Sequence, residues 1–306
     1  MNDPFQMQRE LRYGAPVCDQ ILTGRHFTIG YSWYFRQAKW VLEIINPLER
    51  LLAQEYDDGE RLDNFRADQR IPWRFRASLG AYKGNGYDRG HLAPSANLRE
   101  TRLQNSETFL LSNMSPQKPE FNRRIWRDLE KAIRQLDSQD HVMETYVLTA
   151  PVFYFGKVIE TIGDRKAKYG IDIPIPHAFI KSVFTEQSNG EFKLWTFMIE
   201  NEEQTDKDLS KYLIKTYNAE QYVGGRFWDR VSGGDLHDQK RKKGTMWSLD
   251  KGDTGELTQS ALSKLKEADV VNIAIEMGID ASASDRKQDT IDKILARAAA
   301  GTQANT

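Results

Sequence analysis

The sequence predicts an α+β fold, in which helices flank a central antiparallel sheet and a small helical module follows at the C-terminal end. Paired short segments rich in aromatic and β-branched residues predict the strands. Apolar residues at helical spacing predict the helices, and a shift in composition near residue 232 predicts where the main domain ends. With 306 residues, of which 39% are hydrophobic and 28% charged, the chain is long and apolar enough to bury a core.

Six segments predict strands of the sheet. The first two are expected to form a hairpin. The last two are also expected to form one, because the turn sequence Ser188-Asn189-Gly190 separates them. Residues 1–25 are expected to be an irregular lead-in. Residues 46–86 are expected to be mostly loop, since they contain Pro47, Pro72 and a Gly84-Asn85-Gly86 turn. The six segments are 27–31, 40–45, 110–114 (a short strand or strand end), 146–150, 177–184 and 192–198.

A helix is predicted to begin near Pro119, a residue suited to a first helical turn, and to end near Leu136. Residues 202–222 are also expected to be helical. One apolar stripe runs along the first of these helices, as expected for a helix that packs on a sheet. Its members are Phe121, Ile125, Leu129, Ile133 and Leu136.

The expected domain boundaries are a main domain over residues 1–231, a linker over 232–256 and a small helical module over 257–301. The linker is inferred from Ser232-Gly233-Gly234 and the basic run at 240–243. The module resembles helix–extended loop–helix modules of the SAP type, which often bind DNA. Residues 257–297 carry six basic and seven acidic side chains, so DNA binding and protein docking both stay open.

Positive charge is concentrated in one part of the chain. The formal net charge is −1, but residues 61–134 contain 15 Lys and Arg against 8 Asp and Glu, and 12 of those 15 are Arg. Arg forms paired hydrogen bonds with phosphate, whereas Lys offers a point charge. The region is therefore a candidate phosphate-binding surface, although a solvated Arg-rich face would have the same composition.

Cellular location is predicted only coarsely. No run of about 18 apolar residues occurs, so no membrane span is expected. The first residues lack the basic-then-apolar pattern of a secretory signal, and the single cysteine, Cys18, fits a reducing compartment. A bacterial cytoplasm is expected, or a mitochondrion if a transit peptide has been removed.

The residues that suggest chemistry lie between 87 and 130. His91 follows a turn-rich loop and stands beside Arg89, and an imidazole with a pKa of about 6.5 can accept a proton near neutrality. Asn122, Trp126 and Glu130 are spaced by four residues, which predicts one face of a helix. An amide oxygen is a hard neutral ligand suited to Mg²⁺. Taken singly, each of these residues is more often structural.

Three motifs occur in order: Asp88-Arg89-Gly90-His91, then Ser112-Asn113-Met114-Ser115-Pro116-Gln117, then Asn122 followed by Trp126, Leu129 and Glu130. Together they closely resemble the ββα-metal nucleases of the DNA/RNA non-specific endonuclease family, the endonuclease G-like enzymes. The resemblance begins near Gly14, continues through His177 and fades near residue 230. Ala150 departs from the glycine common in relatives.

The resemblance implies a role for each matching residue. His91 is the general base, Asn122 is the single protein ligand of one Mg²⁺ ion, which Mn²⁺ can replace, and Glu130 holds the water molecules of that ion. Arg89 binds the scissile phosphate or leaving group. The remaining implied roles are phosphate contact for Arg66 and structural support for Asp88, Asn113 and Trp126.

The function implied is Mg²⁺-dependent, sequence-nonspecific hydrolysis of phosphodiester bonds in DNA, with RNA as a second candidate substrate. A 5′-exonuclease of the same family and a catalytically silent nucleic-acid-binding module stay open as alternatives. Relatives often form homodimers. Because such a nuclease endangers its own cell, control by a partner or ligand through residues 232–306 is expected, as in a bacterial defence effector.

Overall fold

The computed structural model describes residues 9–45, 62–99, 101–139, 141–164, 170–231 and 235–248, and, towards the C-terminus, 259–263, 267, 270–271, 274, 279–282 and 284–303. The strands are β1 (Gln20–Thr23), β2 (Phe27–Ser32), β3 (Gln37–Ile45), β4 (Asp88–His91), β5 (Met114–Gln117), β6 (Val142–Val152), β7 (Thr161–Ile162), β8 (Ile173–Pro174), β9 (Ala178–Gln187) and β10 (Phe192–Glu200). The α-helices are α1 (Arg102–Thr108), α2 (Arg127–Asp137), α3 (Thr216–Val223), α4 (Asp235–Arg241), α5 (Gln259–Ser263) and α6 (Lys287–Gln303).

A six-stranded antiparallel sheet forms the centre of the molecule, in the order β1-β2-β3-β6-β9-β10. The predicted α+β class and antiparallel sheet are confirmed. Strand pairing places Val41 opposite Thr149, and Thr149 opposite Lys181, so these three residues lie side by side across the sheet. β6 and β9 are buried along almost their whole length because other elements cover both of their faces.

Each face of the sheet packs against its own helix. On one face, α2 and the turn before it bury the apolar stripe that spacing predicts, together with Trp126. On the other face, α3 and the segment with Phe227 and Trp228 cover the second half of the core. Side chains on the first face can therefore rest on a rigid layer of strands.

A ββα unit lies on the α2 face. β4 pairs antiparallel with β5, and the chain then enters a π-helical turn at Phe121–Trp126 that continues into α2. Single π turns are rare and are often found at functional sites. Asp88-Arg89-Gly90-His91 forms β4 itself, so all three sequence motifs lie within this unit.

Several predicted boundaries are wrong. Residues 20–23 form the edge strand β1 within the expected irregular lead-in, since Leu22 packs into the core beside β2. Residues 111–113 form a 3-10 turn, and the strand predicted there begins only at Met114. The helix predicted over 202–222 is limited to a 3-10 turn at Leu209–Tyr212 and to α3. The predicted loop at 46–61 lies outside the described residues.

The predicted linker is wrong for residues 235–248. Residues 235–241 form α4, which buries Leu236 against the same core as α3. Trp247 then donates a hydrogen bond from its indole nitrogen to the carbonyl of Ala132 in α2, at 3.1 Å. These contacts extend the main domain well beyond residue 231. Residues 249–256 lie outside the described part of the chain.

The C-terminal segment has a small apolar core of its own, formed among its described residues. Leu262 of α5 and Ile291 and Ile294 of α6 meet there, with Val270 and Ala274 between them. The helix predicted over 287–300 corresponds to α6. Across the described part of the chain, no helix combines the length and the hydropathy needed to span a bilayer.

Candidate active site

The β4–β5 strand pair requires glycine at its centre. A Cβ atom at Gly90 would lie 2.0 Å from Oε1 of Gln117, so any larger residue would displace that side chain. Gln117 is fully buried, and neither atom of its amide group makes a hydrogen bond to the described residues. A buried amide without a protein partner points to a polar ligand or ordered water at this position.

Asp88 connects β4 to the π-helical turn. Its carboxylate accepts a hydrogen bond from Nδ2 of Asn122 at 3.0 Å and two from the guanidinium of Arg123, at 2.9 and 2.7 Å. Because the amide nitrogen of Asn122 is used in this way, its amide oxygen is left to point elsewhere. The bracing role expected for Asp88 therefore has a concrete form: its carboxylate orients Asn122.

His91 lies within an aromatic cluster. Its ring centroid is 5.0 Å from that of Phe109 and 5.8 Å from that of Phe65, and the guanidinium carbon of Arg89 lies 3.9 Å from the centroid of Phe65. Arg89 and His91 are two residues apart on a strand, which places them on one face of β4. Arg89 is exposed, so its guanidinium can reach a phosphate while it is held flat on the Phe65 ring.

Asn113 fixes the backbone that follows His91. Its side-chain oxygen accepts from the backbone nitrogen of Ala93 at 3.0 Å, and its Nδ2 donates to the carbonyls of Ala93 and Thr108, both at 2.9 Å. Its own carbonyl accepts from the nitrogen of Leu92. The fully buried Asn113 thus satisfies all of its amide atoms with backbone groups, which agrees with a structural role.

The site residues form two groups that β4 joins. Asp88 begins the strand and holds Asn122, and His91 ends the strand three residues later. At about 3.3 Å per residue, this separation is roughly 10 Å along the strand. The sequence motifs are therefore brought to the β4–β5 strand pair and the helical turn that packs beside it.

Arg66 and Trp126 occupy supporting positions. Arg66 forms a β-bridge with Leu110, and its guanidinium donates to the carbonyl of Ser106 at 2.9 Å, so part of it is committed to the backbone. Trp126 is 1% exposed. Its ring lies against the Lys181 ammonium that also approaches Glu130, so Trp126 packs into the core on the side of the helix that carries Glu130.

Ion pairs within the protein neutralise much of the positive charge of residues 61–134. Arg70 pairs with Asp68, Arg123 with Asp88, and Arg124 with Glu203. The excess of basic residues in 61–134 therefore overstates the charge that faces a polyanion. Arg89 differs from these residues because its neighbour is an aromatic ring.

A group of buried charges lies between α2 and the sheet. The ammonium of Lys181, on β9, donates to Thr149 Oγ1 at 2.8 Å and to the carbonyl of Leu92 at 3.3 Å, and it lies 4.0 Å from the carboxylate of Glu130. Burial lowers the pKa of Lys181 and raises the pKa of Glu130, and the attraction between the two opposes both shifts.

Glu43 belongs to the same group. It is 1% exposed on β3 and accepts a hydrogen bond from Nδ2 of Asn97 at 3.0 Å, while Asn97 Oδ1 accepts from Arg134 at 3.0 Å. Burial raises the pKa of Glu43 to about 7, although Lys181 and Asn97 favour its charged form. The layer beneath the site is therefore strongly polar, and hydrogen bonds satisfy much of it.

Sequence reasoning missed several of these residues. Phe65 precedes Arg66 in the sequence and Gln117 closes the second motif, but neither is predicted to have a role at the site. Lys181 and Glu43 are not predicted either, although each is a charged residue inside an apolar strand, in Phe179-Ile180-Lys181 and in Leu42-Glu43-Ile44. A charge in a strand that is buried on both faces requires a partner, and that pattern is visible in the sequence.

The donor set fits a magnesium ion better than a transition metal. Among the described residues, no group of three or more His, Cys, Asp or Glu side chains could hold a metal. Mg²⁺ keeps several waters and needs only one or two protein ligands. The amide oxygen of Asn122 and the buried amide of Gln117 can supply one ligand and one partner for a water.

Comparisons with known proteins identify the family of this chain. Residues 9–233 match the family described as DNA/RNA non-specific endonuclease. The chain is 31% identical to mitochondrial endonuclease G of Caenorhabditis elegans over 80% of both chains. It is 32% identical to the human mitochondrial endonuclease G over 70% of this chain and 71% of that one.

A solved structure shows the same fold. A crystal structure of an EndoG/EndoGI complex superposes with a TM-score of 0.67 at 26% identity, covering 77% of this chain and 96% of that one. Nuclease C1 of Cunninghamella echinulata is 29% identical over 74% of this chain and 90% of its own. The ββα unit, the antiparallel sheet and these matches together show that this chain is a nuclease and belongs to the DNA/RNA non-specific endonuclease family.

Proposed function

We propose that this chain is a magnesium-dependent, sequence-nonspecific endonuclease that hydrolyses DNA, with RNA as a second substrate. One observation carries the proposal: Asp88 holds the amide nitrogen of Asn122 from the strand that ends in His91. This contact orients a neutral oxygen ligand relative to a candidate base. A module that only binds nucleic acid has no need for a base held in this way.

In the proposed mechanism, the His91 imidazole accepts a proton from an attacking water molecule. The water oxygen bonds to phosphorus, the bond from phosphorus to the 3′ oxygen breaks, and that oxygen is protonated as it leaves. The products carry a 5′-phosphate and a 3′-hydroxyl. Arg89 binds the scissile phosphate, since its exposed guanidinium is oriented by the Phe65 ring.

Magnesium would be held by Asn122, with Glu130 positioned to accept hydrogen bonds from its waters. When bound, the ion supplies positive charge that stabilises the developing negative charge on phosphate oxygens. Glu130 suits the role, because 14% of its side chain is exposed while the rest is held beside Lys181. Mn²⁺ is expected to substitute, since it also favours oxygen ligands.

A cleavage assay on three substrates tests the proposal. The full-length protein is incubated with closed circular plasmid, linear duplex DNA and single-stranded RNA, each with Mg²⁺ or with excess chelator. We expect the circular plasmid to be nicked and then degraded in Mg²⁺, and to stay intact with chelator. Cleavage of linear DNA alone would support the 5′-exonuclease alternative, and binding without cleavage of any substrate would support the silent module.

We also propose that the C-terminal segment regulates the enzyme and that the nuclease domain forms homodimers, as a family resemblance implies. Deleting residues 259–306 should change either specific activity or partner binding, because α5 and α6 form a core of their own. No change in either would refute the regulatory role. Light scattering of the full-length protein tests the dimer, and a monomer across the micromolar range would refute it.

The proposed location is a bacterial cytoplasm, where a defence effector would act on invading nucleic acid. The relatives named as mitochondrial endonuclease G favour a mitochondrion as the alternative. Fractionating the source cells and probing each fraction with an antibody separates the two compartments. Recovery in an extracellular fraction would contradict both.

A further inference from the structure

Lys181 lies beneath the candidate site and contacts both the segment that carries His91 and the helix that carries Glu130. Its ammonium donates to the carbonyl of Leu92, the residue directly after His91. The same ammonium lies 4.0 Å from the Glu130 carboxylate and 4.7 Å from the centroid of the Trp126 ring, both on the helical side of the site. A single buried cation thus contacts the segment of the general base and the helix of the metal-associated carboxylate.

The central strands hold this ammonium in one position. Lys181 lies on the central strand β9, opposite Thr149 on β6, and Thr149 Oγ1 accepts its shortest hydrogen bond at 2.8 Å. The residue is 1% exposed. Two strands that are buried along their length therefore hold the charge at one point in space, unlike a surface lysine, whose side chain moves freely.

Burying a charged lysine side chain costs folding free energy unless other groups compensate its charge. A cation removed from water loses its hydration. Among the described residues, the Glu130 carboxylate lies at the 4.0 Å limit of ion-pair distance, and the Glu43 carboxylate attracts the ammonium from further away. The remaining contacts are a hydroxyl, a carbonyl and the face of an indole ring. An apolar side chain of similar length would fill the same space without this cost, so packing alone does not explain the lysine.

We propose that Lys181 is a positioning residue that sets the placement of His91 relative to Glu130, which rests on the function proposed above. The hydrogen bond to Leu92 fixes the end of β4, and the attraction to Glu130 keeps that carboxylate turned towards the site. Because the ammonium is buried beneath the site, it would act through His91 and Glu130 and not on the substrate directly. Its effect should appear in the catalytic step and in metal binding rather than in affinity for DNA.

The test replaces Lys181 with methionine, which keeps the length of the side chain and removes the charge. We expect kcat to fall about 10- to 100-fold and KM for DNA to change by less than about threefold, because supporting residues of metal sites have effects of this size. Binding of Mn²⁺ without DNA, followed by electron paramagnetic resonance, should weaken about tenfold. Lys181→Arg, which keeps the charge and the hydrogen-bond donors, should restore part of the kcat and part of the Mn²⁺ affinity.

A second buried lysine provides the matched control. Lys240 is 3% exposed and donates to the Glu220 carboxylate at 2.7 Å, in the core on the opposite side of the sheet. Lys240→Met should lower the thermal midpoint as Lys181→Met does. Its kcat per folded molecule and its Mn²⁺ binding should equal those of the unaltered protein. Equal losses of kcat in both variants would mean that Lys181 acts only through stability, and would overturn the proposal.

A milder variant covers the case in which Lys181→Met does not fold. Thr149→Val keeps the shape of the side chain and removes the acceptor of the 2.8 Å bond, so a loss of about fivefold in kcat is expected, matching about 1 kcal/mol. Wild-type kcat and Mn²⁺ binding in this variant would overturn the proposal. Inactivity of the unaltered protein in Mg²⁺ would instead refute the proposed function, so the two failures are distinguishable.

Discussion

His91→Ala is expected to lower kcat by about 10²- to 10⁴-fold, the usual contribution of a general base. KM for DNA should change little, since the phosphate contact assigned to Arg89 stays in place. The side chain of His91 lies against Phe109 and Phe65 at the edge of the core, so its loss should cost only modest stability. Plasmid cleavage in Mg²⁺ under single-turnover conditions measures the chemical step directly.

The control for this variant is His141→Ala. His141 is exposed in the turn before β6, far along the chain from the ββα unit. It should retain full activity. If His91→Ala cuts plasmid at the rate of the unaltered protein, the imidazole is not the base, and the mechanism proposed here is wrong even though the chain is a nuclease.

Asn122→Ala is expected to abolish metal binding at micromolar concentrations and to lower kcat/KM at least about 100-fold, because it removes the single protein ligand proposed for Mg²⁺. Raising the Mg²⁺ concentration should recover part of the activity. The variant also frees the Asp88 carboxylate from one donor, although the two bonds from Arg123 remain. Calorimetric titration with Mn²⁺, with and without DNA, gives the binding constants.

Asn218→Ala serves as the matched control for this second variant. Asn218 is exposed on α3, on the opposite side of the sheet from the ββα unit. It should bind metal and cut DNA like the unaltered protein. Unchanged Mn²⁺ affinity in Asn122→Ala would place the metal on other ligands. Gln117 would then be the first candidate, since its buried amide makes no hydrogen bond to any residue that the structure describes.

The motifs indicate which elements carry the candidate site residues, because those residues lie close together in the chain. Asp88-Arg89-Gly90-His91 is a single strand, and Asn122, Trp126 and Glu130 lie on one continuous helical segment. Local patterns also predicted the hairpin of β2 and β3 and that of β9 and β10. Alternating apolar residues and β-branched residues favour strands, and this local tendency does not depend on distant contacts.

Contacts between residues that are distant in the chain determine the elements that the local sequence did not predict. α4 forms in a basic, polar stretch with few apolar residues because burial of Leu236 and a buried ion pair of Lys240 with Glu220 hold it in place. The edge strand β1 likewise depends on pairing with β2 rather than on its own composition. Such pairings bring together residues that no local window of sequence contains.

The sequence by itself determined the family, the order of the three motifs and five of the six strands of the central sheet, since each follows from residue types at short, regular spacing. Only the tertiary structure decided that Asp88 orients Asn122, that Phe65 supports Arg89, and that Lys181 lies beneath both halves of the site. The physical reason is that the cost of burying a charge or an amide is met by partners dozens of residues away, which only the folded sheet brings within reach.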